Sequence, residues 1–324
     1  MAPLANLPET PASVDAFVEM LAHGIHVIDT GFQRARFDAS YLVVENGHAA
    51  FVDTGTNHAV PRLLAALDAA GVARDAVEYV IATHVHLDHA GGVGALMQQL
   101  PRARLVVHKL GVRHLVDPSR LMASARVVYG EAEMARSYGE LVPVSAQRVI
   151  ESHDGLTLDL GGRLLQCFDT PGHARHHHCI WDERSRGFFT GDTFGVAYPE
   201  FECAHGAWLI PTTPPTQFEP EALRTSVQRL LKFEPEFMYL THYGAVSGVR
   251  SLCATFLQRL EALVALGESV RSHPQRVQAL QAGLSDLYRA WMADDGCRLD
   301  EAHALALLAI DIDLNAQGMH DWLD

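Results

Sequence analysis

The stretch that most constrains this chain is residues 83 to 92, Thr-His-Val-His-Leu-Asp-His-Ala-Gly-Gly. Four metal-capable side chains, His84, His86, Asp88 and His89, fall within six residues, directly after the β-type run Tyr79-Val80-Ile81-Ala82. If the strand continues through His86, its two-residue period puts His84 and His86 on one face, where both imidazoles reach one ion. Asp88 and His89 follow where Gly91 and Gly92 let the backbone turn tightly, which aims the second pair at a neighbouring ion. A lone histidine is more often structural than a ligand. Three of them with a carboxylate in this order read as half of a two-metal site.

Candidates for the other half leave the ends of later strands. Residues 164 to 168 run into Asp169-Thr170-Pro171-Gly172-His173, residues 187 to 190 into Gly191-Asp192, and residues 237 to 241 into His242. Site residues at strand ends on a rigid sheet are the common arrangement in layered α/β proteins. His176, His177 and His178 follow closely; in a strand, alternate residues face opposite ways. His177, four past His173, is the candidate for a buried hydrogen-bonding histidine, with His176 and His178 expected at the surface or behind the ligands.

Upstream, residues 41 to 44 and 49 to 52 are β-rich and flank Glu45-Asn46-Gly47-His48, and Asn-Gly between β formers is a strong hairpin signal. Asp53-Thr54-Gly55 closes the second strand, and a helix carrying Leu63, Leu64 and Leu67 starts near Pro61. Asp53 reads as a turn-stabilising carboxylate or one that supports the ligands from behind. Residues 94 to 100 suit a short helix and 104 to 108 a strand. The segment from 109 to 149 is helix and loop, in which Met122, Tyr129 and Tyr138 either line a substrate pocket or pack.

From about residue 246 the pattern becomes helical: Leu252, Phe256, Leu260 and Leu263, then Val277, Leu280, Leu284, Leu287 and Trp291, then Leu305, Leu308 and Ile312. Gly267, Pro274 and Gly296 punctuate these runs, and Gly318 stands as a cap for the last. The expected organisation is a lead-in over 1–20, a site-bearing domain over 21–250 and a C-terminal helical appendage over 251–324. The appendage is a candidate cover for the site or a homodimer contact.

Net charge is −14, and the Lys/Arg pairs such as Arg34/Arg36 never grow into a basic cluster, which disfavours nucleic acid as a partner. No uncharged apolar run of membrane-spanning length occurs, and the N-terminus lacks a basic segment followed by an apolar core. The expectation is therefore a cytoplasmic protein with no membrane partner. Cys167, Cys179, Cys203, Cys253 and Cys297 are scattered, with no Cys-x-x-Cys pair, so neither a disulfide framework nor a thiolate zinc module is implied.

His84-x-His86-x-Asp88-His89, His173 in Thr-Pro-Gly-His, Asp192 in Thr-Gly-Asp, His242 in Leu-Thr-His and the early Asp53-Thr54-Gly55 turn together resemble the metallo-β-lactamase superfamily, over roughly residues 24 to 245. The resemblance implies an αββα sandwich of two mixed β-sheets flanked by helices. It also implies that His84, His86 and His173 hold one metal, that Asp88, His89 and His242 hold a second, and that Asp192 bridges them. Imidazole and carboxylate donors suit two divalent ions, with zinc first and iron or manganese as competitors. The implied chemistry is hydrolysis of a small-molecule ester, thioester or lactone, in which a bridging hydroxide attacks the carbonyl. Asp88 is a candidate to shuttle a proton to the leaving group.

The motif set looks like hydroxyacyl-thioester hydrolases of the glyoxalase II type, and lactonases share most of it. Two departures separate this chain from them. Its C-terminal helices lack an obvious basic set for an anionic thiol such as glutathione. Tyr198 lies six residues after Asp192 rather than at the near-adjacent tyrosine position of acyl-homoserine lactonases. Tyr198 stays open as a substrate contact, and Glu200, Glu202 and His205 read as a polar loop beside it. Phosphodiesterase activity is the hydrolytic variant, and iron-dependent redox chemistry, including sulfur dioxygenases, is the second class. Diiron members typically carry Glu where His86 stands, which argues against them. RNA processing is disfavoured by the charge.

Overall fold

A computed structural model describes residues 13–201, 203 and 206–324. The loop residues Glu202 and His205 lie outside that set, as does most of the expected lead-in. The chain divides into two compact units: residues up to Phe168 together with Ile180–Ser185, and Asp169–Cys179 together with Arg186–Asp324.

The first unit carries a seven-stranded sheet, β1 (Val18–Met20), β2 (Ile25–Asp29), β3 (Ala39–Glu45), β4 (His48–Val52), β5 (Val77–Ala82), β6 (Arg104–His108) and β7 (Val149–Ser152), paired in that order. Strands β1 to β4 pair antiparallel and β4 to β7 parallel, so the sheet is mixed. Val18–Met20, inside the segment read as a lead-in, is its edge strand. The β3–β4 hairpin forms where expected. Asn46 and Gly47 take φ of +49° and +82°, the left-handed pair that a two-residue turn between twisted strands requires.

Helices α1 (Val60–Ala69), α2 (Leu87–Ala90), α3 (Val93–Gln99), α4 (Val112–Val116), α5 (Ser119–Tyr129) and α6 (Glu131–Glu133) follow, and Met134–Tyr138 winds as a π turn. In α1, Val60, Leu63, Ala66 and Leu67 form one buried stripe, and Pro61 sits in the first turn, where a missing N–H costs no hydrogen bond. That stripe joins Ile28, Leu42, Phe51, Val80, Leu96 and Leu105 in one core. Each such buried aliphatic side chain contributes roughly 1.5–3 kcal/mol.

The second, six-stranded sheet comprises β8 (Thr157–Leu160), β9 (Arg163–Asp169), β10 (His178–Asp182), β11 (Gly187–Gly191), β12 (Phe237–Leu240) and β13 (Gly244–Val246). It too is mixed: β8 and β9 are antiparallel, β11 and β12 parallel, β12 and β13 antiparallel. Residues 180–185, which belong with the first unit, carry one half of a buried ion pair. Arg163 and Asp182, 3% and 0% exposed, pair through Nε to Oδ1 at 2.9 Å and through Nη2 to Oδ2, while Arg163 Nη1 donates to the His23 carbonyl. Removing one partner of such a pair would strand a buried charge, at about 3–5 kcal/mol.

The second unit adds α7 (Pro220–Leu231), α8 (Val249–Val270), α9 (Arg276–Asp294), α10 (Glu301–Leu307) and α11 (Ala309–Leu323). The helical C-terminal region is as expected, except that its third run breaks at Leu308 into α10 and α11. Two glycines read as punctuation do something else. Gly267 lies inside α8, where a Cβ would sit 2.8 Å from the Trp322 ring, and Gly318 lies inside α11, where a Cβ would sit 2.0 Å from the Pro214 carbonyl oxygen. Both are crossing points of close-packed segments. Phe256, Leu260, Leu263, Leu280, Leu284 and Met319 are fully buried, and Ile310 is the one exposed large hydrophobic among the described residues of these helices. Much of their apolar stripes is thus buried within the unit. No helix among the described residues is long and apolar enough to cross a membrane.

Candidate metal centre

In the first unit the ligand motif is built at the exit of β5. The strand stops at Ala82 rather than running through His86, so the two imidazoles are not aligned by strand period. They converge regardless: His84 Nε2 and His86 Nδ1 are 2.8 Å apart, and the Thr83 hydroxyl lies 3.2 Å from His84 Nδ1. With Nδ1 of His84 facing a hydroxyl, its Nε2 is the edge turned to His86. The two rings thus bring nitrogens to one point, and both stand in one group of candidate metal donors.

Asp88 and His89 sit on the short helix α2. His89 is fully buried, and its Nδ1 lies 2.8 Å from Asp53 Oδ2. Asp53 is itself fixed: its Oδ1 accepts the Thr83 N–H at 2.8 Å, and the Thr83 hydroxyl lies 2.9 Å from Oδ2. A buried carboxylate accepting from Nδ1–H leaves the lone pair of His89 on Nε2, an arrangement that also stands behind metal-bound histidines. Asp88 Oδ2 is 3.9 Å from that Nε2. Asp53 itself holds a φ of +54°.

Gly91 and Gly92 were expected to provide a tight turn, yet both have ordinary right-handed backbone, φ −60° and −82°. Their smallness serves packing. A Cβ on Gly92 would sit 2.8 Å from the Thr56 carbonyl oxygen, and one on Gly91 3.2 Å from Thr56 Cα. The Asp53–Thr56 turn can then press on α2, donating Thr54 N–H to the His89 carbonyl at 2.7 Å and accepting Gly92 N–H at Gly55 at 2.9 Å.

In the second unit His173, Asp192 and His242 leave β9, β11 and β12 as expected. His173 Nε2 lies 3.2 Å from Asp192 Oδ2, and His242 Nε2 lies 3.7 Å from Asp192 Oδ1. One carboxylate thus offers a separate oxygen to each of two histidines, and all three residues are buried. Gly172 is required in the turn before His173: a Cβ there would sit 2.2 Å from the Leu223 nitrogen of α7.

His177 stands behind this group. Its Nε2 accepts the Asp192 N–H at 3.2 Å, and its Nδ1 lies 3.0 Å from the Thr170 hydroxyl and 3.1 Å from that of Thr193. Because Nε2 accepts, the proton is on Nδ1 and the ring is neutral. His176 and His178, expected at the surface or behind the ligands, are 7% and 1% exposed, so neither is at the surface. All five residues of β10 are buried, so alternation does not send one side to solvent. Tyr198 is 3% exposed and donates its hydroxyl to Asp311 Oδ1 at 2.9 Å, tying the segment after Asp192 to α11.

The residues the motif reading passed over are the threonines. Thr83, Thr170 and Thr193 each orient a ligand or its support, and each flanks a motif in sequence, which was the available signal. Met122 and Tyr138 are buried, and the rings of Tyr129 and Tyr138 lie 4.9 Å apart. Burial first, and then the charge of Asp88, raise the pKa of the Tyr129 hydroxyl, and the same two causes act on Tyr138, which places both rings within the field of a candidate ligand.

The donors available are imidazole and carboxylate, and none of the free cysteines joins either group. Such a set fits borderline divalent cations such as zinc. Residues 34–242 match the metallo-beta-lactamase superfamily. The chain belongs to that superfamily. It is 30% identical over 177 residues to a metallo-beta-lactamase fold-containing protein of Sulfurisphaera tokodaii, covering 53% of this chain and 63% of that one. It is 31% identical over 146 residues to a hydroxyacylglutathione hydrolase of Synechococcus, covering 45% and 43%. The chain thus spans less than two thirds of either relative. A crystal structure of an archaeal superfamily protein from Sulfolobus tokodaii superposes with a TM-score of 0.65 at 22% identity, over 93% of this chain and all of that one, which establishes likeness of fold.

Proposed function

We propose that this protein is a dinuclear metal-dependent hydrolase of small-molecule esters, with thioesters as the preferred class. In this reading His84, His86 and His173 hold one ion, Asp88, His89 and His242 hold the other, and Asp192 bridges. The observation that carries it is the carboxylate of Asp192, whose two oxygens are divided between His173 and His242. The likeness to a hydroxyacylglutathione hydrolase supports the thioester class.

A pair of divalent ions lowers the pKa of water toward neutrality and polarises a carbonyl, so hydrolysis at pH 7 needs no strong protein base. The chain supplies the rest. Asp53 fixes the tautomer of His89, and His177 fixes the backbone of Asp192. Burial of His84, His89, His173 and Asp192 excludes bulk water, which strengthens every electrostatic interaction there. Asp88 is the more exposed carboxylate, with 25% of its side chain accessible against 7% for Asp192. That exposure supports the reading of Asp88 as the group that passes a proton to the departing thiol or alcohol.

The test is to purify the protein without added metal, count zinc, iron and manganese per chain, and assay thioesters, lactones and phosphodiesters side by side. Two ions per chain with thioester turnover is expected. Fewer than one ion, or turnover confined to phosphodiesters, would overturn the assignment.

A further inference from the structure

A cavity of about 300 Å³ opens in the first unit beside the turn that supports His89. Its walls include Thr56, Phe32, His58, Arg62, Arg136 and Ser137. Arg62 is held as a fixed cation: its Nη1 donates to the Asp29 carbonyl at 2.9 Å, and its guanidinium lies 5.2 Å from the Phe17 ring centroid. The remaining edge lies over Gly31, where a Cβ would sit 3.0 Å from Nη2 and 3.1 Å from Nε. Arg136 is anchored by Glu133, and its side chain is 71% exposed. His58 Nε2 is buried and has no hydrogen-bond partner among the described residues. From this cavity an aromatic wall runs to the metal-ligand side: Phe32 to Tyr138 at 5.4 Å, then Tyr138 to Tyr129 at 4.9 Å, and both tyrosines feel the charge of Asp88.

We infer that this cavity is a subsite for a carboxylate or phosphate carried on the tail of the substrate, with Arg62 and Arg136 as the guanidinium contacts and His58 as a neutral partner. The inference rests on the thioester reading above. Planar guanidinium forks are the side chains suited to such groups; Arg62 is oriented by the Asp29 carbonyl and, at 3.5 Å, by Asp29 Oδ2, and Arg136 by Glu133. The tail would lie along Tyr138 and Tyr129 while the scissile carbonyl sits beside Asp88. The basic set absent from the C-terminal helices is thus found on the first unit.

Two measurements test this. Calorimetry with glutarate and its uncharged diamide reads the subsite without any turnover: the metal-loaded protein should bind glutarate in preference, and Arg136→Gln should weaken that binding roughly 10- to 100-fold. Arg62→Lys, which keeps the charge and loses the fork, should weaken it as well, and Arg136→Gln, being at the surface, guards against a folding artefact. Kinetics then compare a neutral N-acetylcysteamine thioester with one bearing a carboxylate on the thiol and one bearing it on the acyl group. A lower KM for one charged arm, with the preference collapsing in Arg136→Gln, says which side of the thioester the tail belongs to. Glutarate binding that is absent, or indifferent to both variants, overturns the subsite, as does equal KM for all three thioesters; thioester turnover in that case leaves the hydrolase reading standing. Arginine-dependent glutarate binding with no thioester turnover does the reverse.

Discussion

His89 and Asp192 are both buried candidate ligands, and each is held from behind by one titratable side chain, but by opposite means. Behind His89 stands a carboxylate: Asp53 accepts from the ring itself and so sets which nitrogen carries the proton. Behind Asp192 stands a neutral imidazole: His177 accepts from the backbone N–H and sets where the carboxylate sits without touching its charge. The first device governs ligand chemistry and the second governs ligand position. The difference ranks the consequences of disturbing them.

The largest effect is expected from the ligand itself. Asp192→Ala removes both oxygens that face His173 and His242, and turnover should fall by more than about 100-fold, beyond the range for residues that act behind a ligand. Metal analysis should show the loss of bound ions alongside it. His176→Ala, which belongs to neither ligand group, should retain activity; an active Asp192→Ala protein would break the scheme at its centre.

Asp53→Asn comes next. Asn tolerates the φ of +54° and matches Asp in size, so the fold should persist. The amide oxygen would keep the Thr83 N–H, turning the amide nitrogen toward His89 Nδ1. That nitrogen would then have to accept, which moves the proton to Nε2 and removes the lone pair a metal needs. Chelator competition should read roughly a 10- to 100-fold loss in metal affinity. His177→Gln should do less, about 10-fold at most on turnover. The glutamine oxygen can still accept from Asp192, while one amide no longer meets both Thr170 and Thr193, at about 1–3 kcal/mol of stability read by urea unfolding. If His177→Gln cost more metal affinity than Asp53→Asn, the division into chemistry and position would fail.

The same contrast explains what the sequence could and could not convey. The candidate ligands were legible as two groups, because His84, His86, Asp88 and His89 crowd into one stretch and His173, Asp192 and His242 each follow a strand. The hairpin at Asn46-Gly47 and the helical C-terminal region were legible for a similar reason, since turn chemistry and apolar period are local. Contacts between distant segments were not. Gly91, Gly92, Gly267 and Gly318 look like turn or cap residues on paper, and their purpose depends on Thr56, Trp322 and Pro214 arriving from elsewhere in the chain. Whether His178 stands at the surface or behind the ligands was not legible, because strand alternation says nothing about a strand buried on both faces. The π turn at Met134–Tyr138 and the cavity beside it follow from packing rather than from any periodic signal.

The smallest effect concerns histidines that hold no candidate ligand position. His26, His58 and His114, all in the first unit, have pKa values lowered from 6.5 by burial, His114 also by the charge of Arg113. The unfolded chain takes up these protons below about pH 6.5, whereas the folded chain waits until a lower pH. Between the two the unfolded state binds more protons, so stability falls as pH drops through that window and levels off once the folded rings also titrate. Urea midpoints of the metal-free protein from pH 7.5 to 5, measured beside His26→Gln, isolate one ring, because every other titration is common to both proteins. The wild type should lose stability relative to the variant as pH falls below about 6.5, by no more than one proton's worth of slope. Parallel curves would mean that His26 is as well solvated in the folded chain as in the unfolded one. The acid sensitivity of that window would then rest on the other two rings, His58 and His114.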